Sequence, residues 1–177
     1  MLRLLAPRGG HIIYSPGVRT REGLRRLDGV IKGSEVLVLD SNELRNLCRT
    51  GDVGVALGRL RTRYPEVTVV ATLGQRGCVI TKGTTTDKVE GVSLSKLGLR
   101  AVNSTGSGDA FLGAYASYVL MGRSRLEAVS FANLAGALKA TKYETRGSPT
   151  RKELESKMRE LERIRRSRQG SQASRAS

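Results

Sequence analysis

Short β-branched runs alternate with helical stretches along most of this chain, and this alternation constrains the fold more than any other feature. Residues 35–40 and 67–74 are almost continuously apolar, which is typical of strands covered on both faces of a parallel sheet. Between them, residues 42–51 and 53–64 have helical spacing, and Pro65 ends the second stretch. Strands that alternate with helices predict an α/β domain with a largely parallel sheet between helical layers.

Further elements are predicted towards both ends of the chain. The final helix begins near Ser148 or Thr150, because Thr150 and Glu153 have the spacing of a capping box. The turn at 74–77 is expected to pair two successive strands. The other predicted elements are strands at 11–14 and 78–83 and helices at 21–33, 109–121 and 124–141.

The length and hydropathy of the chain favour one domain followed by a tail. A chain of 177 residues that is 38% hydrophobic can bury one sizeable core. The end of the chain, SRQGSQASRAS from Ser167, has no apolar residue except alanine and is expected to be disordered. We therefore predict a domain over residues 1–160 and a basic helix end with a disordered tail over residues 161–177.

The formal net charge of +15 raises the question of nucleic-acid binding. The charge is spread along the chain, however, and only five Tyr and two Phe are present, with no Trp. No basic stripe interleaved with aromatic residues, of the kind that stacks bases, can be found. A generally basic solvated surface is therefore favoured over a nucleic-acid interface.

The cysteine content and the lack of long apolar runs are used to predict the cellular compartment of the protein. Cys48 and Cys78 have no metal-ligand spacing and are expected to be small buried hydrophobic residues. Neither a cleavable leader nor a run of about 18 apolar residues is present. We expect a cytoplasmic protein without membrane contact.

Residues 103–109, NSTGSGD, place small residues directly before a helix with an aspartate in its first turn. The backbone N–H groups of Gly106, Ser107, Gly108 and Asp109 can point into one concavity that binds anions. Asp109 can be a helix-capping carboxylate, or it can accept a proton from an attacking hydroxyl while the N–H groups stabilise a transferred phosphoryl group. The spacing alone leaves both interpretations open.

This stretch resembles the C-terminal signature of the PfkB-type carbohydrate kinases, the ribokinase-like family, whose members carry D-T-x-G-A-G-D-x-F here. VLDSNELRNL, VVATLGQRGCVI and EAVSFANLAGALKAT resemble successive landmarks of that family in the right order. The resemblance covers about residues 11–160. It implies a three-layer α/β/α ribokinase-like domain with a mostly parallel central sheet.

The resemblance implies a role for each matching residue of the glycine-rich stretch and of the turn at 74–77. Asp109 matches the catalytic base, and Gly106, Ser107 and Gly108 match the anion hole around the transferred phosphate. A strand-end turn beside the nucleotide phosphates is matched by Thr72, Gly74 and Gly77. From the residues alone, that turn is also an ordinary β-hairpin turn.

Two asparagines match further family positions. Asn133 falls where members line the adenine pocket, although an asparagine in a helix also satisfies neighbouring backbone groups. Asn42 matches the first residue of an N-x-x-E motif that acts on magnesium and phosphate through water. Its alternative role is the N-cap of a helix that begins at Glu43.

Three departures from the family pattern qualify these expectations. Arg45 replaces the glutamate of N-x-x-E. Asn103 replaces an aspartate tied to monovalent-cation binding, which argues against activation by potassium. The N-terminal portion of family members, with the first strands, the sugar-gripping glycines and the lid, has no counterpart here. We therefore expect a C-terminal portion of a kinase, which either self-associates or works with an N-terminal half.

The function implied by the resemblance is ATP-dependent phosphate transfer. ATP and Mg²⁺ would be the cofactors, and the γ-phosphate would pass to a hydroxyl of a sugar or nucleoside. The alternative is a non-catalytic remnant of a kinase that binds nucleotide, a partner or nucleic acid.

Overall fold

The computed structural model describes residues 11–173, and the side chains of residues 11–167. The described chain divides into two compact units, the first ending at Gly91 and the second beginning at Val92. The first unit contains a sheet and three α-helices. Its elements are β1 (Ile13–Tyr14), α1 (Leu24–Lys32), β2 (Val36–Asp40), α2 (Ser41–Cys48), α3 (Val53–Arg63), β3 (Thr68–Thr72), β4 (Cys78–Lys82) and β5 (Thr85–Val89).

The five strands lie side by side in the order in which they occur in the chain. Strands β1, β2 and β3 are parallel, β4 is antiparallel to β3, and β5 is antiparallel to β4. Four of the five strands therefore point the same way, as the mostly parallel sheet of the sequence analysis requires. The predicted pairing of the strand at 78–83 with the strand before it is confirmed.

The three helices of the first unit pack on one face of the sheet, because each presents an apolar stripe to it. Strands β2 and β3 alternate their side chains between faces, and the opposite-facing Val36, Val38 and Val70 are also buried. This explains why both strands are continuously apolar. The core on the helical face includes Leu27, Ile31, Leu37, Leu39, Leu44, Leu47, Ala56, Leu60, Val69 and Ala71.

The described part of the second unit contains three α-helices, α4 (Ser107–Leu120), α5 (Arg125–Lys139) and α6 (Arg151–Ala173). Helices α4 and α5 pack against each other, and the rings of Tyr118 and Phe131 stack with centroids 4.0 Å apart. Both helices match the predicted segments within a few residues.

The start of α6 confirms the predicted capping box. The Thr150 N–H donates to Glu153 Oε2 at 2.6 Å, and the Glu153 N–H donates to Thr150 Oγ1 at 3.3 Å. The helix continues to Ala173, past Ser167, where disorder is predicted from composition. It also crosses the predicted boundary between residues 160 and 161. Residues 174–177 lie outside the described residues.

The two cysteines are free and buried, as predicted. Burial raises the pKa of the Cys48 thiol to about 11 and that of the Cys78 thiol to about 12. Both thiols therefore stay protonated at neutral pH, which keeps them unreactive. Over the described residues, no helix combines the length and the apolar character needed to cross a membrane.

An ion-pair cluster on α1 makes the stability of the first unit depend on pH. Asp28 accepts hydrogen bonds from Arg63 at 2.8 Å and from the Tyr64 hydroxyl at 2.9 Å, and Lys32 lies 2.8 Å away. These contacts, that with Lys32 foremost, lower the pKa of the Asp28 carboxyl from 3.8 to about 2. The stabilisation is present above the usual pKa of an aspartate and is lost as the pH falls from about 4 to about 2.

We expect Asp28→Asn to reduce the loss of stability on acidification, because the variant has no carboxylate to protonate. The measurement is the free energy of unfolding in urea between about pH 5 and about pH 3. Asp87→Asn, at an exposed position of β5, is the matched control and should keep the wild-type slope. An Asp28→Asn slope equal to that of the wild type would contradict the assignment.

Candidate active site

One group of predicted site residues lies at the carboxyl ends of the parallel strands β2 and β3. Asp40 and Thr72, the last residues of these strands, are register partners. Asn42 follows two residues after Asp40, and Gly74 follows two residues after Thr72. All four residues therefore lie at one edge of the sheet, and this edge is where open α/β sheets bind ligands.

The turn from Thr72 to β4 depends on glycine at two positions. Gly74 has φ of +61° and Gly77 has φ of +88°. The Leu73 N–H donates to the Gly77 carbonyl at 2.7 Å, and the Gly77 N–H donates to the Gly74 carbonyl at 3.0 Å. The turn does connect two antiparallel neighbours, so the hairpin interpretation describes its geometry, and the nucleotide role remains a proposal.

The cap of α2 is Asp40 and not Asn42. Asp40 Oδ1 accepts the N–H groups of Asn42 at 2.7 Å and Glu43 at 2.8 Å, and Glu43 Oε2 accepts the Asp40 N–H at 2.8 Å. The alternative that Asn42 is an N-cap is therefore wrong, because the helix begins at Ser41 and Asn42 is its second residue. The Asn42 side chain is exposed.

The two charged residues near Asn42 on α2, Glu43 and Arg45, both make hydrogen bonds at the start of the same helix. Arg45 Nε donates to the Ser41 carbonyl at 2.9 Å. Partial burial raises the pKa of the Glu43 carboxyl, and the hydrogen bond from the Asp40 N–H partly offsets this rise. Glu43 therefore closes the capping box and does not take the place of the glutamate that Arg45 replaces.

A second group of predicted residues forms the start of α4. Gly106 is the N-cap, with φ of +81°, and no described side chain caps the helix. The N–H groups of the first helical turn have no intrahelical acceptors, and the helix dipole adds partial positive charge at the same place. Ser107, Gly108 and Asp109 are the first three helical residues. The Ser107 N–H donates to the Ser104 carbonyl at 3.0 Å, because the chain turns just before the helix, so the prediction that this N–H is available to an anion is wrong.

Asp109 is exposed in the first turn of α4. Because Gly106 is the N-cap and has no side chain, the helix start contains no capping box of the kind seen at α5 and α6. The carboxylate still interacts favourably with the helix dipole. Its exposure leaves the carboxylate accessible from solvent.

The loop before α4 is anchored on the end of α5. The N–H groups of Val102 and Asn103 both donate to the Ala140 carbonyl, at 2.7 and 3.0 Å. The Asn103 amide donates to the Tyr143 carbonyl at 3.0 Å and accepts the Thr105 N–H at 3.0 Å. Asn103 therefore uses both ends of its amide to fix the loop that leads into the start of α4.

Helix α5 closely approaches the backbone at the start of α4. It also carries Asn133, a predicted site residue. A Cβ on Gly136 would lie 3.1 Å from the Ser107 carbonyl oxygen, so a side chain there would push the two helices apart by a few tenths of an ångström. Asn133 is three residues before Gly136 on neighbouring helical positions. Asn133 therefore lies about one turn before the α5 residue that approaches the start of α4.

Lys139 is a buried residue that the sequence analysis does not single out. It is 0% exposed and lies at the end of α5, three residues after Gly136. A lysine in the last turn of a helix is usual, because it complements the helix dipole. Lys139 differs from most such lysines because α5 packs against the start of α4, and this packing buries the side chain.

The predicted residues thus fall into two groups, one in each unit. Asn42, Thr72, Gly74 and Gly77 meet at the sheet edge of the first unit. In the second unit, Asn133 lies on α5, which packs against α4. The start of α4 comprises Gly106, Ser107, Gly108 and Asp109.

The described residues contain no group of three or more His, Cys, Asp or Glu side chains that could hold a metal directly. Magnesium in phosphate chemistry keeps most of its waters and is held largely by the phosphates. The exposed Asn42 side chain offers a single amide oxygen, which is too few ligands to hold a metal by itself.

Comparisons with known proteins agree with this architecture. The family model for pfkB family carbohydrate kinases matches residues 4–152. The ribokinase of Lactococcus lactis subsp. lactis is 26% identical over 152 residues, which cover 85% of this chain and 46% of the ribokinase. The chain thus spans about half the length of the relatives it matches.

Two solved structures show the same fold. The adenosine kinase of Sinorhizobium meliloti has a TM-score of 0.76 and 19% identity, over 90% of this chain and 47% of the kinase. A ribokinase II candidate from Escherichia coli, in complex with ATP and Mg²⁺, has a TM-score of 0.73 and 22% identity, over 92% of this chain and 52% of the other. The predicted ribokinase-like α/β fold class is confirmed, and the chain belongs to the pfkB family of carbohydrate kinases.

Proposed function

We propose that this chain takes part in ATP-dependent transfer of a phosphoryl group to a hydroxyl of a sugar or nucleoside. The observation that carries the proposal is the uncapped start of α4, where an N-cap glycine in the left-handed region is followed by an exposed Asp109. A helix start of this kind stabilises negative charge without a side-chain cation. A kinase needs this stabilisation because charge develops on the transferred group.

Asp109 would act as the general base of the reaction. Its carboxylate would accept the proton of the attacking hydroxyl as the oxygen–phosphorus bond forms and the bond to the ADP leaving group breaks. The N–H groups of Gly108 and Asp109 would stabilise charge on the phosphoryl oxygens.

The remaining predicted residues would bind the nucleotide. Thr72, Gly74 and Gly77 would lie beside its phosphates, since the sheet edge they occupy is where open α/β sheets bind ligands. Asn133 would line the adenine pocket. Bound Mg²⁺ would neutralise charge on the phosphates, and Asn42 would contact it through water.

A second candidate function is nucleotide binding without catalysis. The observation that favours it is the share of the relatives that the chain matches, 46% of the Lactococcus lactis ribokinase. Positioning of the acceptor supplies about 7–11 kcal/mol of the barrier reduction in a well-oriented reaction. Residues that position the acceptor would have to come from a second chain or a further segment.

Both candidates require nucleotide binding, which a thermal unfolding experiment tests. At a concentration of about 100 times its dissociation constant, ADP would stabilise the chain by about 2.7 kcal/mol. For a chain of this size we expect the melting temperature to rise by about 5–10 °C. Adenosine is the matched control, and it should give a smaller shift because it lacks the phosphates. Folded protein that shows no shift with ADP or ATP would contradict the proposal.

A further inference from the structure

Lys139 is fully buried, and its Nζ has no hydrogen-bond partner among the described residues. A buried cation without an acceptor costs free energy, because it gives up its hydration and gains nothing in return. A lysine is rarely found fully buried in a core unless an anion or a set of hydrogen-bond acceptors pairs with its ammonium group. The surroundings of Lys139 therefore decide what it can bind.

The side chain of Lys139 lies against the N-cap of α4. Its Cε is 3.3 Å and its Nζ 4.0 Å from the position that a Cβ would take on Gly106. The Thr145 carbonyl oxygen is 3.0 Å from the same position. A side chain on residue 106 would crowd both the Thr145 carbonyl and the lysine stem, so the glycine leaves room for the lysine at the start of the helix.

The packing of α5 on α4 fixes this arrangement. Gly136 contacts the Ser107 backbone, with its Cβ position 3.1 Å from the Ser107 carbonyl oxygen, and Lys139 follows one turn later on the same side of α5. The Ser107 hydroxyl is also buried without a partner in the described structure. Two unpartnered polar groups thus accompany the uncapped first turn of α4.

We propose that Lys139 is a phosphate-binding residue, whose ammonium group contacts a phosphate held at the start of α4. The inference rests on the proposed function, because the phosphate would belong to the nucleotide or to the group in transfer. A charge-assisted hydrogen bond to phosphate would satisfy the buried Nζ. The phosphate would also lie against the positive end of the helix dipole and the first-turn N–H groups.

The test compares binding of ADP and of inorganic tripolyphosphate to the full chain by calorimetry. Lys139→Met keeps the length and apolar stem of the side chain but removes the charge. Lys139→Gln removes the charge but keeps a polar end. Lys96→Met removes one charge from an exposed position of the same unit and is the matched control.

We expect both Lys139 variants to bind ADP and tripolyphosphate about tenfold more weakly or worse, because a buried hydrogen bond between charged groups is lost. The Lys96 variant should bind both within about twofold of the wild type, since exposed charges contribute little. The melting temperature of ligand-free Lys139→Met should be unchanged or raised, since a buried unpartnered charge has been removed. A merely structural lysine would not combine weaker binding with retained stability.

Several outcomes would overturn the inference. Wild-type affinity in both Lys139 variants would do so and would leave the proposed function standing. Variants that unfold, or that melt lower and bind normally, would give Lys139 a structural role. Wild-type protein that binds neither probe would overturn both proposals. Lys139-dependent binding of tripolyphosphate with no binding of ADP would support the phosphate site and contradict only the kinase function.

Discussion

Asp109→Asn is expected to lower phosphate transfer by about 10²–10⁴-fold, because asparagine cannot accept the proton of the attacking hydroxyl. The protein for this measurement joins the chain to the part of the Lactococcus lactis ribokinase that the chain does not match. That ribokinase is chosen because the chain covers 46% of its length, so the rest of the ribokinase can supply the segment to be added. Transfer from labelled ATP is followed across a panel of sugars and nucleosides.

The controls for this experiment separate chemistry from binding. ADP affinity should be nearly the same in Asp109→Asn and in the parent, since the variant keeps the N–H groups of the helix start. The chain without the added segment is expected to show little or no turnover, because the acceptor is not positioned. Near-full activity of the joined Asp109→Asn protein would mean that Asp109 only stabilises its helix.

Gly77→Ala is expected to destabilise the first unit by about 3 kcal/mol or more. Gly77 has φ of +88° and ψ of −133°, a conformation that is essentially restricted to glycine. An added Cβ would overlap the Val89 carbonyl oxygen and lie 2.6 Å from both the Glu90 carbonyl carbon and the Gly91 nitrogen. These are backbone atoms, so the clash can be relieved only by moving β5. Urea unfolding of the variant measures the loss.

Gly74→Ala is the matched control in the same turn. Its φ of +61° is also positive, but nothing lies within 4 Å of the added Cβ. The expected cost is therefore only that of the left-handed conformation, about 1–2 kcal/mol. Equal losses in the two variants would show that the close approach of β5 to Gly77 contributes nothing to stability.

The main elements of the fold could be predicted from the sequence because they depend on local patterns. Strands β2, β3 and β4 are apolar runs of strand length, and α3 ends at Arg63, just before Pro65. The start of α2 was predicted wrongly because Asp40 is both the last residue of β2 and the N-cap of the helix. Its end was predicted too late, since Arg49, two residues before Gly51, adopts the left-handed conformation.

The length of α6 shows a different limit of prediction. Composition after Ser167 indicates disorder, yet the helix continues to Ala173. Extending a helix that has already formed fixes one residue at a time and avoids the cost of nucleation. Composition describes the residues of the tail and not the helix to which they are attached.

The candidate site was predictable in part. The glycine-rich stretch indicated an anion-binding helix start, and the structure places an uncapped start there. Lys139 could not be found in this way, because its burial depends on how α5 packs on α4. Gly136 permits that packing, but a single glycine in a helix does not indicate which backbone it approaches.

The order of the strands has a consequence for how the first unit is made. Each strand of the sheet pairs with the strand synthesised just before it, so no pairing has to wait for a distant part of the chain. Topologies with short sequence separations between contacts fold quickly, and domains begin to fold while the ribosome is still adding residues. The sheet can therefore grow strand by strand as the polypeptide emerges. Among the described strands, β1 and β5 each keep one unpaired side that another chain can cover.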